Sequence, residues 1–169
     1  MKTIALLIFP GVQALDVSGP LDVFAEANDY IAPHAGYHLV TVGTAPYPIL
    51  ASNGQKLGVD HTLDTAGVDY DVVLVAGGPK LWQAAADPAL SAWLRAVAAQ
   101  VPRYGSICTG AFLLGRAGLL DGKRATTHWS DAARLGEQFP LAQVEDDRIH
   151  VRDGSLVTSA GVTAGIDLA

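Results

Sequence analysis

The sequence is poor in cysteine and has no long apolar run. Its single cysteine, Cys108, excludes an internal disulfide and a multi-cysteine zinc site. The longest apolar runs, residues 4–9 and 72–76, are far shorter than the roughly 20 residues of a membrane-spanning helix. The N-terminal stretch lacks the longer apolar region and the small-residue cleavage site of a signal peptide. We therefore expect a cytoplasmic protein.

Basic residues are also few, because 11 Lys and Arg stand against 17 Asp and Glu, for a net charge of −6. An acidic surface repels a phosphate backbone, so this segment alone is a poor ligand for DNA. The five histidines have no spacing suited to a metal, and no G-x-G-x-x-G or G-K-[ST] phosphate-binding pattern occurs. We therefore expect no metal site and no cofactor.

What the sequence does contain is an alternation of short β-type runs with helical patterns. The predicted strands are residues 3–9, 37–42, 71–76, 103–107 and 124–127. The predicted helices open at Gly19-Pro20, run from Asp87-Pro88 to about residue 100, span 109–117, and run from a Ser130 cap to 139, with a last one beginning in 161–169. Hairpins are predicted around Asn53-Gly54, with positive φ at both turn residues, and around Asp153-Gly154.

This alternation predicts one α/β domain over residues 1–169, a flavodoxin-like three-layer sandwich with a mostly parallel central sheet. Sheets of this kind bind ligands at the carboxyl ends of their strands. Residues that follow the predicted strands are therefore the first candidates for a functional site.

The segment from Ser106 to Gly110, SICTG, lies between a predicted strand and a predicted helix. This pattern is typical of a nucleophile elbow, with Cys108 as the central residue and small residues two positions before and after it. The following helix N-terminus is expected to lower the pKa of the thiol. The alternative is a buried structural cysteine, the commoner fate of a lone cysteine.

Three further positions are candidates for the same site. Gly77-Gly78 follows a buried strand and can supply an oxyanion-type backbone N–H, as Thr109 can, although a Gly-Gly pair also serves as a simple tight turn. Asp16 follows the first strand and can relay a proton or hold the thiol, or it can satisfy loop N–H groups.

His128, in a Thr-rich segment, is either a partner of the cysteine or a packed, backbone-bonded histidine. The predicted ligand-binding residues are Cys108, Asp16, Gly77, Gly78, Thr109 and His128.

Four ordered motifs carry a family resemblance across essentially the whole chain: FPGVQALDVSGPLDVF, VVLVAGGP, SICTGAFLLGRAGLLDGKRATTHW and LVTSAGVTAGIDLA. With them the sequence resembles the DJ-1/PfpI superfamily, which has the class I glutamine-amidotransferase-like fold. It looks most similar to the N-terminal domains of AraC-family transcription regulators and, next, to isonitrile hydratases. The resemblance implies a DJ-1-like fold with Cys108 at the elbow, Asp16 beside it, and Gly78 and Thr109 at the oxyanion-type N–H groups.

Departures from the family patterns argue against glutamine hydrolysis and against proteolysis. Glutamine-hydrolysing relatives carry a C-terminal His-x-Glu pair, whereas residues 161–167 contain no histidine. PfpI-type proteases have histidine after the nucleophile, whereas this chain has Thr109. Isonitrile hydratases use a Cys-Thr pair and an Asp, and the corresponding residues are present here.

The resemblance therefore implies a ligand-sensing domain that binds a small molecule near Cys108. The last predicted helix stops about two turns in, so we expect a chain truncated before a C-terminal helix-turn-helix domain. DNA would be bound only through that missing domain, and a homodimer with no membrane partner is expected. The alternative is an isonitrile hydratase-like enzyme with catalytic Cys108, Asp16 and Thr109. A weaker alternative is a redox sensor, which would lack an internal resolving thiol.

Overall fold

The computed structural model describes residues 1–161 and 163–168, with the side chain of Leu168 outside that description. The strands are β1 Lys2–Ile8, β2 Tyr37–Gly43, β3 Ile49–Leu50, β4 Lys56–Leu57, β5 His61–Thr62, β6 Val72–Val75, β7 Arg103–Ser106, β8 Arg124–Ala125, β9 Gln143–Val144, β10 His150–Asp153 and β11 Leu156–Ser159. The α-helices are α1 Ala14–Ala27, α2 Pro88–Gln100, α3 Ala111–Arg116, α4 Ala132–Gln138 and α5 Ala164–Leu168.

A seven-stranded sheet in the order β10-β11-β7-β6-β1-β2-β5 forms the centre of the molecule. Its pairings are parallel except for the β10–β11 hairpin, so the predicted mostly parallel sheet is confirmed. The side chains of residues 4–8 in β1 are buried on both faces, which explains the unbroken apolar run in the sequence. Helix α1 packs on α5, and α3 packs on α2 and α4, so two helix groups cover the sheet.

The helix α2 matches its prediction at both ends. Asp87 caps it, since its carboxylate accepts a hydrogen bond from the Leu90 N–H at 3.0 Å, and Pro88 occupies the first turn. Leu90, Trp93, Leu94 and Val97 are its buried face, as their helical spacing predicts. The short β8 strand is also present, although it pairs with β9 in a separate small sheet.

The start of α1 was predicted wrongly. The helix begins at Ala14, so Pro20 lies in its interior and Asp16 in its first turn. A proline usually disfavours helical backbone in the preceding residue because its ring clashes with that residue's Cβ. Gly19 has no Cβ, which makes the helix tolerable through Pro20. The buried Val17 and Phe24 continue the apolar face across the proline.

Two turn predictions also need correction. The hairpin of β3 and β4 exists, but of its two turn residues only Gly54 has a positive φ (85°), and Asn53 does not. The Gly54 N–H donates to the Ala51 carbonyl and closes the turn. The N-cap position of helix α4 is Asp131 and not Ser130, and the Asp131 side chain makes no capping hydrogen bond. Ser130 lies inside a preceding 3₁₀ turn, Trp129–Asp131, where its N–H donates to the His128 ring.

The last helix, α5, lies in the predicted segment 161–169, of which Val162 and Ala169 lie outside the described residues. Ile166 is 39% exposed and contacts Gly19 of α1, where a Cβ would lie 3.0 Å from the Ile166 side chain. The small residue on α1 therefore lets the two helices pack closely.

The connections of the sheet create a crevice between β1 and β6. The chain leaves β1 towards β2 on one side and leaves β6 towards β7 on the other, although β1 and β6 are adjacent parallel strands. In open α/β sheets, ligands bind where neighbouring strands diverge in this way, at their carboxyl ends. The ends of β1, β6 and β7 carry Asp16, Gly77-Gly78 and Cys108, respectively.

Candidate functional site

Cys108 lies in a sharp turn directly after β7. Its φ is +53°, a value that non-glycine residues rarely adopt, and the 3₁₀ turn Cys108–Gly110 leads into α3. Crowding in this turn explains the small neighbour Gly110, since a Cβ there would lie 2.3 Å from the Val75 carbonyl oxygen. Thr127 fixes the turn from the other side, because its hydroxyl donates to the Cys108 carbonyl at 2.8 Å. The backbone therefore has the strand–turn–helix form that the sequence predicts for an elbow.

The Cys108 side chain is less accessible than an elbow nucleophile is expected to be, with 6% of its surface exposed. Burial raises its pKa to about 12, and the nearby Asp16 carboxylate acts in the same direction. The backbone N–H and hydroxyl of Thr109 oppose this shift only in part. The predicted lowering of the thiol pKa is thus wrong, because burial disfavours the charged thiolate and the Thr109 hydrogen bonds offset this only in part.

Asp16 is fully buried in the first turn of α1, next to the elbow. One carboxylate oxygen, Oδ2, accepts a hydrogen bond from the Gly77 N–H at 2.9 Å, and the other, Oδ1, has no partner among the described residues. Burial raises the Asp16 pKa to about 6, and the Gly77 hydrogen bond limits the rise. A carboxyl group with such a pKa can exchange a proton near neutral pH.

The Gly77-Gly78 turn connects Asp16 to Cys108. A Cβ on Gly77 would lie 2.6 Å from Asp16 Oδ2 and 2.9 Å from both the Cys108 Cβ and the Thr109 nitrogen. Glycine is therefore required at the point where the turn meets the elbow and the helix.

The N–H groups of this turn are occupied. Gly77 donates to Asp16, and Gly78 donates to the Thr109 hydroxyl oxygen at 2.9 Å. That hydroxyl in turn donates to the Gly78 carbonyl at 2.8 Å, so the two residues are clamped together. A substrate oxyanion would have to displace these bonds to use either glycine as a donor.

A pocket of about 200 Å³ opens over the elbow. Its walls are Gln13, Gly78, Pro79, Lys80, Cys108, Thr109, His128, Ser130 and Asp131. Four of the predicted ligand-binding residues line it: Cys108, Gly78, Thr109 and His128. The other two, Asp16 and Gly77, are buried behind its floor and reach the pocket through their contacts with the elbow.

His128 closes one side of the pocket. Its Nδ1 lies 2.8 Å from the Ser130 hydroxyl and accepts the Ser130 N–H at 3.3 Å, and an edge of the ring lies against Gly161. It makes no hydrogen bond to Cys108 within the described part of the chain. Its polar contacts are thus local, which fits a wall residue held by its own turn.

Sequence reasoning did not identify the other walls, which are Gln13, Pro79, Lys80, Ser130 and Asp131. Pro79 and Lys80 directly follow the predicted Gly77-Gly78 turn, so the ends of adjacent parallel strands could have indicated them. His128 was predicted for the site, whereas no sequence signal indicated Ser130 and Asp131, which reach the pocket in the same turn.

Two further features are absent from the described residues: a cluster of metal ligands and a membrane-spanning helix. No three His, Cys, Asp or Glu side chains in 1–161 and 163–168 lie close enough together to hold a metal ion. No helix in the same part of the chain is long and apolar enough to span a bilayer.

The DJ-1/PfpI family model matches residues 2–169, a span that contains the four motifs. The chain belongs to the DJ-1/PfpI family. It is 40% identical over 168 residues to the isonitrile hydratase of Pseudomonas putida, a match covering 98% of this chain and 68% of the hydratase. It is 35% identical over 162 residues to CdhR, an HTH-type transcriptional regulator of Pseudomonas aeruginosa, covering 96% of this chain and 47% of the regulator.

A solved structure agrees with this membership. A ThiJ/PfpI family protein from Pseudomonas syringae superposes with a TM-score of 0.85 at 31% identity, covering 99% of this chain and 65% of that one. The predicted family and fold class are therefore confirmed. The chain spans less than half the length of the regulator CdhR, so the homologous region is one part of that protein.

Proposed function

We propose that this chain is the ligand-sensing domain of a cytoplasmic, homodimeric AraC-type regulator, in which a small metabolite bound beside Cys108 changes DNA binding by a C-terminal helix-turn-helix domain. The observation that carries the proposal is the pocket itself, which opens over the elbow and is lined by Cys108, Thr109 and His128. Nucleophilic catalysis requires a thiolate, and a pKa of about 12 leaves very little of it at neutral pH. A neutral Cys108 suits a ligand contact.

The occupied N–H groups support the same function. Gly77 and Gly78 are hydrogen-bonded to Asp16 and Thr109, so they stabilise the floor of the pocket before any ligand arrives. An oxyanion site for covalent catalysis needs free donors aimed at the reacting atom. The two glycine N–H groups are already occupied, which suits a floor for reversible binding better than an oxyanion site built on these glycines.

The architecture of the pocket gives ligand binding a route to the rest of the protein. Its walls come from the entry to α1, the loop after β6, the elbow after β7 and the turn 128–131. A ligand that contacts all four segments changes their relative positions only if it binds one arrangement more tightly than the other. The net charge of −6 agrees with placing the DNA contacts in another domain.

The test is ligand-dependent operator binding by the full-length protein encoded by the reading frame. Pools of small metabolites should change its affinity for promoter DNA in a mobility-shift assay. In His128→Ala, which alters a pocket wall, the response should be lost while ligand-free DNA binding persists. His150→Ala changes an exposed histidine on β10 and is the matched control. DNA affinity that never responds to metabolites would refute the proposal.

An isonitrile hydratase-like activity is the second candidate, favoured by the contact of Asp16 and Cys108 through Gly77 and by the 40% identity to the hydratase. In this reaction Asp16 takes the thiol proton, the thiolate adds to the isonitrile carbon, and Asp16 returns the proton to that carbon to give the thioimidate R–N=CH–S–Cys108. Water then adds to the thioimidate carbon, and the C–S bond breaks with a proton returning to the Cys108 sulfur. The product is an N-substituted formamide, R–NC + H₂O giving R–NH–CHO.

An alkyl isonitrile and a chromatographic assay for the formamide test this second candidate. Turnover that disappears in Cys108→Ala and in Asp16→Asn would favour the enzyme over the sensor. Wild-type protein that produces no formamide above the buffer rate would exclude it.

A further inference from the structure

The pocket contains one feature that the proposed function does not use, a lysine at its mouth. Lys80 lines the pocket, its side chain is exposed, and it forms no ion pair with any residue in the described part of the chain. An unpaired ammonium on a pocket wall is available to a ligand.

The backbone at Lys80 is strained. Its φ is +56°, and among the described residues only Lys80 and Cys108 combine a side chain with a positive φ. Both line the same pocket. Backbone of this kind is costly and persists where the surrounding structure enforces it, which is characteristic of functional sites.

The enforcing contacts lie immediately after Lys80. The Arg116 guanidinium donates to the carbonyls of Leu81 and Trp82 at 3.1 and 3.0 Å, and the Gln138 amide donates to the Trp82 carbonyl at 3.2 Å. These bonds fix the short turn Leu81–Gln83, and with it the position from which the lysine side chain leaves the backbone.

The charged side chains around the pocket differ in whether they have a partner. Asp131 is the carboxylate on its wall, and Arg134 pairs with it at 2.9 Å. Asp16 lies behind the floor, fully buried, with one oxygen bonded to Gly77. Lys80 is thus the wall residue with a charged side chain and no ion pair within the described part of the chain.

We infer that Lys80 selects the ligand class: the pocket binds a small carboxylate, with the carboxylate on the Lys80 ammonium and the rest of the molecule over Cys108 and Thr109. This inference rests on the proposed sensing function and names its ligand class. The volume of about 200 Å³ is that of about seven water molecules, which fits an acid of the size of propionate or lactate. Gln13, on the same wall, supplies a neutral donor for the second carboxylate oxygen.

The experiment is an NMR titration of the amide signals of Gly78 and Thr109 with sodium propionate and sodium lactate, against their neutral amides and against sodium chloride. The wild type should show saturable shifts with the acids only. Lys80→Met should weaken binding about tenfold, since it removes a charge-assisted hydrogen bond. Lys80→Arg should retain most of it.

One further variant separates the charge of Lys80 from its backbone strain, and a second is a control at another lysine. Lys80→Gly adopts the same positive φ without cost, so it should fold at least as stably as the wild type and still bind carboxylates weakly. Lys56→Met removes an exposed lysine from the β3–β4 hairpin, which does not line the pocket, and should bind like the wild type.

Equal binding of the amides and the acids would overturn the inference, as would unchanged binding in Lys80→Met or the absence of saturable shifts with both acids. None of these results refutes the sensing function, because operator binding tests that function separately. If the Lys80→Met regulator responds to metabolites as the wild type does, only the assignment of Lys80 is refuted.

Discussion

The buried carboxyl group of Asp16 makes a prediction about stability that the substitution Asp16→Asn tests. In the folded protein its pKa is raised from 3.8 to about 6, because the ionised form is poorly solvated. The folded state therefore binds a proton more tightly than the unfolded state. Stability from this group is fully present below pH 3.8 and is lost as the pH rises through about 6.

The two pKa values set the size of the effect. Between roughly pH 4.5 and pH 7.5, they imply a loss of about 2 kcal/mol in the free energy of unfolding of the wild type. Asparagine does not titrate, so Asp16→Asn should escape this loss. Its amide can accept the Gly77 N–H, but the Nδ2 that replaces the unpartnered Oδ1 is a buried donor without an acceptor. That defect costs about 1–3 kcal/mol, equally at both pH values.

Urea unfolding of the wild type and Asp16→Asn at the two pH values measures this difference. The variant should be clearly less stable at the lower pH and should gain about 2 kcal/mol relative to the wild type at the higher one. Asp22→Asn, at an exposed position on the same helix, is the matched control for removing one carboxylate. If the difference in the free energy of unfolding between Asp16→Asn and the wild type is the same at both pH values, within about 0.5 kcal/mol, the argument that burial controls this group is refuted.

Two further predictions concern the elbow. At pH 8, iodoacetamide should alkylate Cys108 at least about tenfold more slowly than glutathione in a mass-spectrometric time course, because a pKa of about 12 leaves little thiolate; equal rates would contradict a buried, neutral thiol. Gly110→Ala should destabilise the fold by roughly 2 kcal/mol, since its Cβ would lie 2.3 Å from the Val75 carbonyl oxygen. Thermal melting against Gly58→Ala, where a Cβ has nothing within 4 Å, checks it; equal melting temperatures would show that the elbow has room for a side chain.

Local sequence rules predicted the elements whose determinants are close in the chain. The Asp87-Pro88 cap and the apolar spacing of α2 lie within one helix, and the prediction was right at both ends. The rule that proline starts a helix failed at Pro20, where Gly19 removes one of the clashes behind it, that between the proline ring and the preceding Cβ. The unpredicted edge strand, His61–Thr62, is only two residues long and has no pattern of its own.

The sequence by itself determined the order of strands and helices, the tight turn at Cys108 and the family to which the chain belongs. The element order and the turn follow from local patterns, and the family follows from the four ordered motifs. Only the tertiary structure decided the state of the site: burial raises the pKa of Asp16 to about 6 and that of Cys108 to about 12, and Lys80 lines the pocket with no ion pair among the described residues. The physical reason is that a pKa and an unpaired charge depend on what surrounds a group in space. Here those surroundings come from segments that are brought together at one edge of the sheet.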